Sequence, residues 1–480
     1  MREEQNIKKK KKNKTNREIL AVTYVFLLAF VCLIGYFIYF MNVESESYIT
    51  SPYNTRQDLL ADRVKRGEIL SSDGTVLAET VTDQSGNESR RYPYGSLFAH
   101  VLGYSTKGKS GIESAYNFYM LKSHINPFDR IMNELTNQKS PGDRVITTLD
   151  VELQRIAYDG MGGYDGAVVV MEPATGKILA MVSKPDFDPN QIEEIWDSLV
   201  SETETSNLLN RATAGLYPPA STFKIVTALE YYRQYGSTVL LNFAYECAGG
   251  YQLEEYSLAC FNGHVHGGVN LRTAFAQSCN AAFIEIGLKL DLKRYYETAQ
   301  TLLFNQEMPF ALSNRSGSYV MDSSATVWDV MQTSIGQGKT LVTPLQNALI
   351  AAAVANDGII MKPYVVDRIE SVNKNQVKQY RADEYAQVMT KEEADVLTEL
   401  MISVVEEGTA KQLQSDEYQA AGKTGTAEYQ TGTDESHSWF VGFAPAEDPK
   451  IVVSIILEDA GKDSGVSKTM AKKLFDAYLK

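Results

Sequence analysis

Ser221 and Lys224 open the stretch Ser-Thr-Phe-Lys-Ile-Val-Thr-Ala-Leu-Glu-Tyr-Tyr232, directly after Pro218 and Pro219. The prolines and the helix-compatible run behind them predict a helix beginning near Ser221. Residues three apart share one face of a helix, so the hydroxyl and the amine meet there. Phe223, Ile225, Val226, Ala228 and Leu229 leave the helix little polar surface, which predicts burial. A buried lysine is costly as a cation, and desolvation or a second cation nearby favours the neutral amine. A neutral amine can take the serine proton, while the helix N-terminus favours the alkoxide as it forms. The chemistry expected is a serine nucleophile activated without histidine.

Ser-x-x-Lys alone is a weak pattern; Ser371-Val-Asn-Lys374 also matches it, in a charged stretch expected to loop. Two further clusters follow in order. Ser278-Cys-Asn280 lies among small and apolar residues and suits a turn that projects a hydroxyl and a carboxamide into a cleft. The hydroxyl could relay a proton and the amide could orient Lys224 and a substrate carbonyl, although alone the pair reads as an ordinary cap or turn. In Lys423-Thr-Gly-Thr426, Gly425 on an expected strand marks close approach of another backbone or a ligand. Lys423 offers a cation for a carboxylate, Thr424 and Thr426 offer hydroxyls, and a peptide could lie along the strand edge. Alone this is a surface loop of turn formers. All three in this order are the signature of serine β-lactamases and penicillin-binding proteins.

The surrounding pattern supplies elements to position them. Residues 166–173 and 177–183 read as a hairpin around Ala174-Thr-Gly176. Helices are expected over 269–290, 292–303, 344–356 and 391–407, strands over 420–430, 438–444 and 450–458, and a closing helix over 464–479. Two early strands, a helical middle, three late strands and a final helix imply one sheet covered by helices on both faces.

The chain is 480 residues long with net charge −14, enough for two or three domains. Residues 1–18 carry a local charge of +5, leaving about −19 on the remainder, which argues against nucleic-acid binding. Residues 19–41 are apolar and uncharged and span about 35 Å as a helix, long enough to cross a bilayer. The lysines ahead of them place that end in the cytoplasm and residues from 42 onward outside it, with no cleavage site in between. Residues 42–145 form a mixed segment of short strands and turns, read as a spacer or docking module, and a second domain runs over 146–480. Of four cysteines, Cys32 lies in the apolar segment and Cys279 in the Ser278 cluster. Cys247 and Cys260 flank a Gly- and Tyr-containing loop and could form a disulfide in an oxidising space. His264 and His266 follow, so a metal site is conceivable, but a disulfide or free thiols is the expectation and no metal or cofactor is assigned.

Beyond the three clusters, the chain resembles a class B penicillin-binding protein, a monofunctional D,D-transpeptidase. Asn54-Thr-Arg56 and Arg66-Gly-Glu-Ile69 resemble the family's pedestal. Ala180-Met181, Pro185-x-Phe-Asp-Pro-Asn190, Asn210-Arg-Ala212, Ile335-Gly-Gln-Gly338, Thr343-Pro-Leu-Gln346 and Ala355-Asn-x-Gly358 continue the match. The resemblance implies an α+β fold of the serine β-lactamase type behind a small pedestal and one transmembrane helix. It makes Ser221 the acylated nucleophile, Lys224 its base, and Ser278 and Asn280 the relay and orienting pair. Lys423, Thr424, Gly425 and Thr426 become the carboxylate-binding strand, with backbone N–H groups of Ser221 and Thr426 as the oxyanion hole. The substrates implied are peptidoglycan stem peptides, with β-lactams trapped at the same serine and a polytopic membrane glycan polymerase as partner. Ala220 replaces the family's usual glycine, and Ser71-Ser72 replaces the usual Asp-Arg. No glycosyltransferase module precedes the catalytic region and no accessory domain follows it, so a bifunctional class A enzyme is not expected. The alternatives are a D,D-carboxypeptidase or β-lactamase, in which water resolves the acyl-enzyme, and a β-lactam sensor or non-catalytic allosteric partner of the polymerase.

Overall fold

The computed structural model describes residues 1–50, 55–201, 205–238, 242–322, 324–428, 436–461 and 465–480. The expected hairpin is present as β1 (Gly166–Met171) and β2 (Ile178–Lys184), paired antiparallel. The helices that follow include α1 (Lys224–Tyr235), α2 (Leu271–Ala276), α3 (Asn280–Lys289), α4 (Pro344–Ala355) and α5 (Lys391–Glu406), and the helix expected over 292–303 is present as Leu292–Thr301. Then come β3 (Ala421–Glu428), β4 (Ser436–Ala444), β5 (Ile451–Leu457) and α6 (Val466–Leu479). The strands form one antiparallel sheet in the order β3-β4-β5-β1-β2, which leaves β3 at an edge. α4 packs on β1, β4 and β5, whereas α6 and the Val151–Met161 helix pack on each other and on the sheet's other face. Cover on both faces is why β1 and β5 are buried at every residue and read as unbroken apolar runs rather than alternating ones.

Capping explains the helix boundaries that the sequence anticipates. Thr343 accepts from the Gln346 N–H with Pro344 at the first helical position, and Thr390 with Glu393 forms a capping box at α5. Residues 269–290, in contrast, are not the single helix expected. Gly267–Val269 is a strand, α2 ends at Ala276, α3 starts at Asn280, and Ser278 between them has left-handed backbone (φ 57°). Apolar residues flank the break on both sides and are buried on both, so periodicity alone runs through it. The middle of the chain also holds four short strands, Tyr245–Cys247, Gly250–Leu253, Tyr256–Ala259 and Gly267–Val269, in two antiparallel pairs. Asn54 of the expected pedestal motif, Tyr429 and Gln430 of the expected strand, and Ser464 of the expected closing helix lie outside the described residues.

Residues 60–480 form one compact unit. Strands Ile69–Leu70, Val76–Thr82, Glu88–Arg91 and Arg144–Thr147 join Val366–Glu370 and Gln376–Gln379 in a six-stranded sheet. The expected domain boundary at 145 therefore falls inside a strand, and the downstream segment completes the pedestal sheet. Ser371 and Lys374, the second Ser-x-x-Lys, form the tight turn between the last two of these strands, far from any acyl-transfer geometry. Arg66 and Arg90 both grip the fully buried Glu113, with Nε–Oε distances of 2.6 and 2.7 Å. Ser71, which replaces the family's Asp, instead bonds Asp73 and the Thr75 backbone in a local turn. Breaking a buried ion cluster strands the remaining charges. Glu113→Ala is accordingly expected to destabilise this unit by about 3–5 kcal/mol, read by chemical denaturation.

Residues 1–59 form a separate unit. Its helix begins at Arg2, so the basic residues extend the same helix as the apolar segment, and helical structure continues to Glu44. The helix is long and apolar enough to cross a membrane, and its apolar side chains are exposed, as an anchor requires.

Candidate active site

Residues Ala220–Phe223 make a 3-10 turn that runs into α1, and this turn carries Ser221. Lys224 is fully buried, and its Nζ stands at the centre of the site. It lies 3.1 Å from Ser221 Oγ, 2.8 Å from Ser278 O, 3.2 Å from Ser278 Oγ and 2.8 Å from Asn280 Oδ1. The break between α2 and α3 makes this possible. Left-handed backbone at Ser278 turns its carbonyl and hydroxyl toward the amine, and Asn280 opens α3 on the same side. The Asn280 amide is fixed in turn by donating to Ala259 O at 3.1 Å.

Burial pushes the Lys224 amine down to about 7, so it is substantially neutral at physiological pH and able to accept a proton. Phe283, with its ring centroid 5.4 Å from Nζ, forms part of the apolar surround. Lys423 on β3 is also fully buried and lies well below its ordinary range, through burial and then through the neighbouring Lys224 cation. Its Nζ donates to Ser278 Oγ at 2.9 Å and to Thr424 O at 3.1 Å. The Lys423 amine thus points inward, away from solvent, and holds the Ser278 hydroxyl. Ser278 Oγ lies between the two amines, the position a proton relay needs.

Gly425 has the role its type suggested. A Cβ there would stand 3.1 Å from Trp439 Cβ, 3.3 Å from Ala220 Cβ and 3.3 Å from Pro219 O, so glycine lets β3 press against the Ser221 turn. Thr424 and Thr426 are half-buried along the free edge of the sheet, and Thr424 Oγ1 is bonded to Thr409 Oγ1 at 2.6 Å. Ser221, Ser278, Asn280, Thr424, Gly425 and Thr426 all line one cleft of about 1170 Å³. The three clusters, more than two hundred positions apart from end to end, converge there.

Residue 220 has left-handed backbone (φ 49°), which explains why glycine suits that position and why the alanine here needs support. Ala220 N donates to Gly336 O at 2.8 Å, and a Cβ on Gly336 would stand 1.9 Å from Ala220 O. Gly336→Ala is expected to shift the Ser221 turn and slow acylation by roughly 10- to 100-fold while the fold persists, measured as the acylation rate with a fluorescent penicillin.

The cysteines take one of the two states expected of them. Cys247 and Cys260 are free thiols, their Sγ atoms 3.7 Å apart, where a disulfide requires about 2.05 Å. Cys279 Sγ lies 3.9 Å from Cys260 Sγ, and His266 Nδ1 lies 3.4 Å from Cys247 Sγ, so four groups share the space intended for two. His264 stays outside this group and meets His266 edge-on.

Residues 166–476 match the family described as the penicillin binding protein transpeptidase domain, and residues 66–145 match the penicillin binding protein A dimerisation domain. The chain belongs to the penicillin-binding transpeptidases. It is 34% identical over 437 residues to the peptidoglycan D,D-transpeptidase PbpA of Mycolicibacterium smegmatis, across 85% of this chain and 87% of that one. It is 29% identical to the peptidoglycan D,D-transpeptidase MrdA of Acinetobacter baumannii, across 82% of this chain and 66% of that one. Among solved structures, the imipenem acyl-enzyme of penicillin-binding protein A from M. tuberculosis superposes with a TM-score of 0.79 at 28% identity, covering 88% of this chain and all of that one. The D,D-transpeptidase domain of a peptidoglycan glycosyltransferase from Eggerthella lenta gives 0.78 at 32% identity, covering 87% and 98%.

Some supports of this penicillin-binding site escape a sequence reading. Thr409 reaches Thr424 from the loop after α5, Phe275 lies under Lys423 with its centroid 5.6 Å from Nζ, and Trp439 Nε1 donates to Pro218 O at 3.0 Å. Thr409 carries no motif; Trp439 could have been found as the large residue paired across β4 from Gly425.

Proposed function

We infer that this chain is a peptidoglycan D,D-transpeptidase that works through an acyl-Ser221 intermediate. The observation that carries this reading is the single buried amine of Lys224, within hydrogen-bond reach of Ser221, Ser278 and Asn280 together. Neutral Lys224 takes the Ser221 proton as Oγ attacks the carbonyl of the D-alanyl-D-alanine peptide bond. The carbonyl oxygen becomes an anion held by the Ser221 and Thr426 backbone N–H groups. As the C–N bond breaks, the departing amine receives a proton through Ser278 Oγ, and D-alanine leaves. An amine of a second stem peptide then attacks the ester, its proton returns to Ser221 Oγ, and the cross-link is formed.

Thr424 and Thr426 on the open edge of β3 meet the substrate carboxylate, with Lys423 acting one step behind them through Ser278. A β-lactam enters the same cleft, and its ring carbonyl acylates Ser221 without losing the leaving group. The basic residues before the apolar helix hold the N-terminus in the cytoplasm, so the cleft faces the wall outside. The anchor and pedestal suit docking on a membrane-embedded glycan polymerase, which supplies strands to cross-link.

The test is intact-mass analysis of the detergent-solubilised full chain after penicillin, with the modified peptide sequenced. A stable adduct on Ser221 is the expected result, and addition of a stem peptide with an amine acceptor should yield a cross-linked dimer. Hydrolysis of the antibiotic without adduct would replace this reading with a β-lactamase; an adduct without any cross-linking would replace it with a sensor.

A further inference from the structure

We propose that Lys468, on the first turn of α6, supplies the positive charge that reads the substrate's terminal carboxylate at Thr424 and Thr426. That role rests on the transpeptidase reading of the cleft, and Lys468 lies outside all three sequence clusters. A carboxylate that leaves water for a cleft needs charged donors, and the two threonine hydroxyls are neutral ones. Lys468 is the only lysine or arginine among the described residues that line the cleft. Lys224 and Lys423 are fully buried behind it, and both amines are engaged with Ser278. Burial also lowers both of them, so neither is a standing charge for a ligand.

Two contacts in series bring Lys468 to the edge strand. Its Nζ donates to Thr409 O at 3.3 Å, and Thr409 Oγ1 is bonded to Thr424 Oγ1 at 2.6 Å. One residue thus separates the amine from the threonine that meets the carboxylate. The bond to Thr409 is the only one Lys468 Nζ makes among the described residues, which leaves N–H donors for a ligand. Glu407, the one acidic residue on the described cleft wall, is held by Arg272 Nε at 2.9 Å and does not neutralise it.

The backbone under Lys468 is fixed from two sides. Ser467 is buried, and its Oγ meets Ser438 Oγ at 2.9 Å; Ser438 is the β4 partner of Thr426. Gln412 Nε2 donates to Gly465 O at 2.9 Å, which ties the loop after α5 to the start of α6. The Lys468 side chain itself is half-buried, so salt and water screen it less than a fully exposed charge. Lys468 is therefore a specificity-determining residue: it selects an anionic chain end and leaves the acyl transfer to Ser221 and Lys224.

The test compares acylation of Ser221 in the detergent-solubilised full chain by a penicillin and by its methyl ester, which lacks the charge. Wild type is expected to react faster with the free acid. Lys468→Met should shrink that preference about 5- to 30-fold, the weight of one charge pair at a partly buried site. Lys468→Arg should restore it, and added salt should erode the preference of wild type more than that of Lys468→Met. Damage to the fold or to the cleft would slow both compounds together, so the ratio of the two rates separates recognition from structure. The same preference in wild type and Lys468→Met would overturn the role of Lys468 while the acyl-Ser221 reading stands. No adduct on Ser221 of the wild type with either compound would overturn both.

Discussion

Lys224→Met is expected to slow acylation of Ser221 by about 10²- to 10⁴-fold, the range that a positioned general base contributes. Methionine keeps the length and apolar stem of lysine against Phe283 but has no basic nitrogen, so Ser221 keeps its proton. The variant should still fold, because what it removes is an amine that burial already holds near neutrality. Its cost is the loss of hydrogen bonds to Ser278 O and Asn280 Oδ1, each about 1–3 kcal/mol when the acceptor stays buried. A rate within roughly tenfold of wild type would remove Lys224 from the chemistry. The pH dependence of stability gives a second readout. The folded amine titrates near 7 and the unfolded one in the ordinary lysine range, so between those values the folded state binds fewer protons. Raising the pH through that window therefore stabilises wild type relative to Lys224→Met, by up to about 1.4 kcal/mol per unit. A flat difference would contradict the lowered amine.

Acylation itself should follow the same group. Above about pH 7 the base is free and the rate reaches a plateau. Below it the amine is protonated, and each unit should cost about tenfold, so acylation at pH 5 is expected about 100-fold slower than on the plateau. Lys423 is pushed the same way, by burial and then by the neighbouring Lys224 cation. The measurement is the second-order acylation rate with a fluorescent penicillin across pH 5–9. A rate that stays level through pH 6, or a midpoint near the ordinary lysine value, would show that burial does not tune this base.

The one-dimensional sequence was sufficient wherever a local rule decides the outcome. Pro218 and Pro219 ahead of an apolar helix placed the Ser221 turn. The β1–β2 hairpin, α4, α5 and the three late strands were legible from turn residues and the pattern of apolar residues. The order of the three polar clusters identified the chemistry, and the 19–41 run identified a helix long and apolar enough to cross a membrane. Gly425 announced a close approach before its partners were known.

What the sequence leaves open are relations between residues distant along the chain. Ser278–Asn280 reads as a turn in sequence, but the buried apolar residues beyond it on both sides carry helical periodicity across it, so its place as a break between two helices comes from the fold. The direction of Lys423 follows from the register of β3 on β4, which sends its side chain inward to Ser278 rather than outward to solvent. The pedestal sheet is not contiguous in sequence, since a hairpin more than two hundred positions downstream of 145 completes it. Cys247 and Cys260 look like a pair in one dimension; only the fold brings Cys279 and His266 to within 4.8 Å of them. Residue types determined which chemistry was available, and long-range packing, which sets distance and burial, decided which groups perform it.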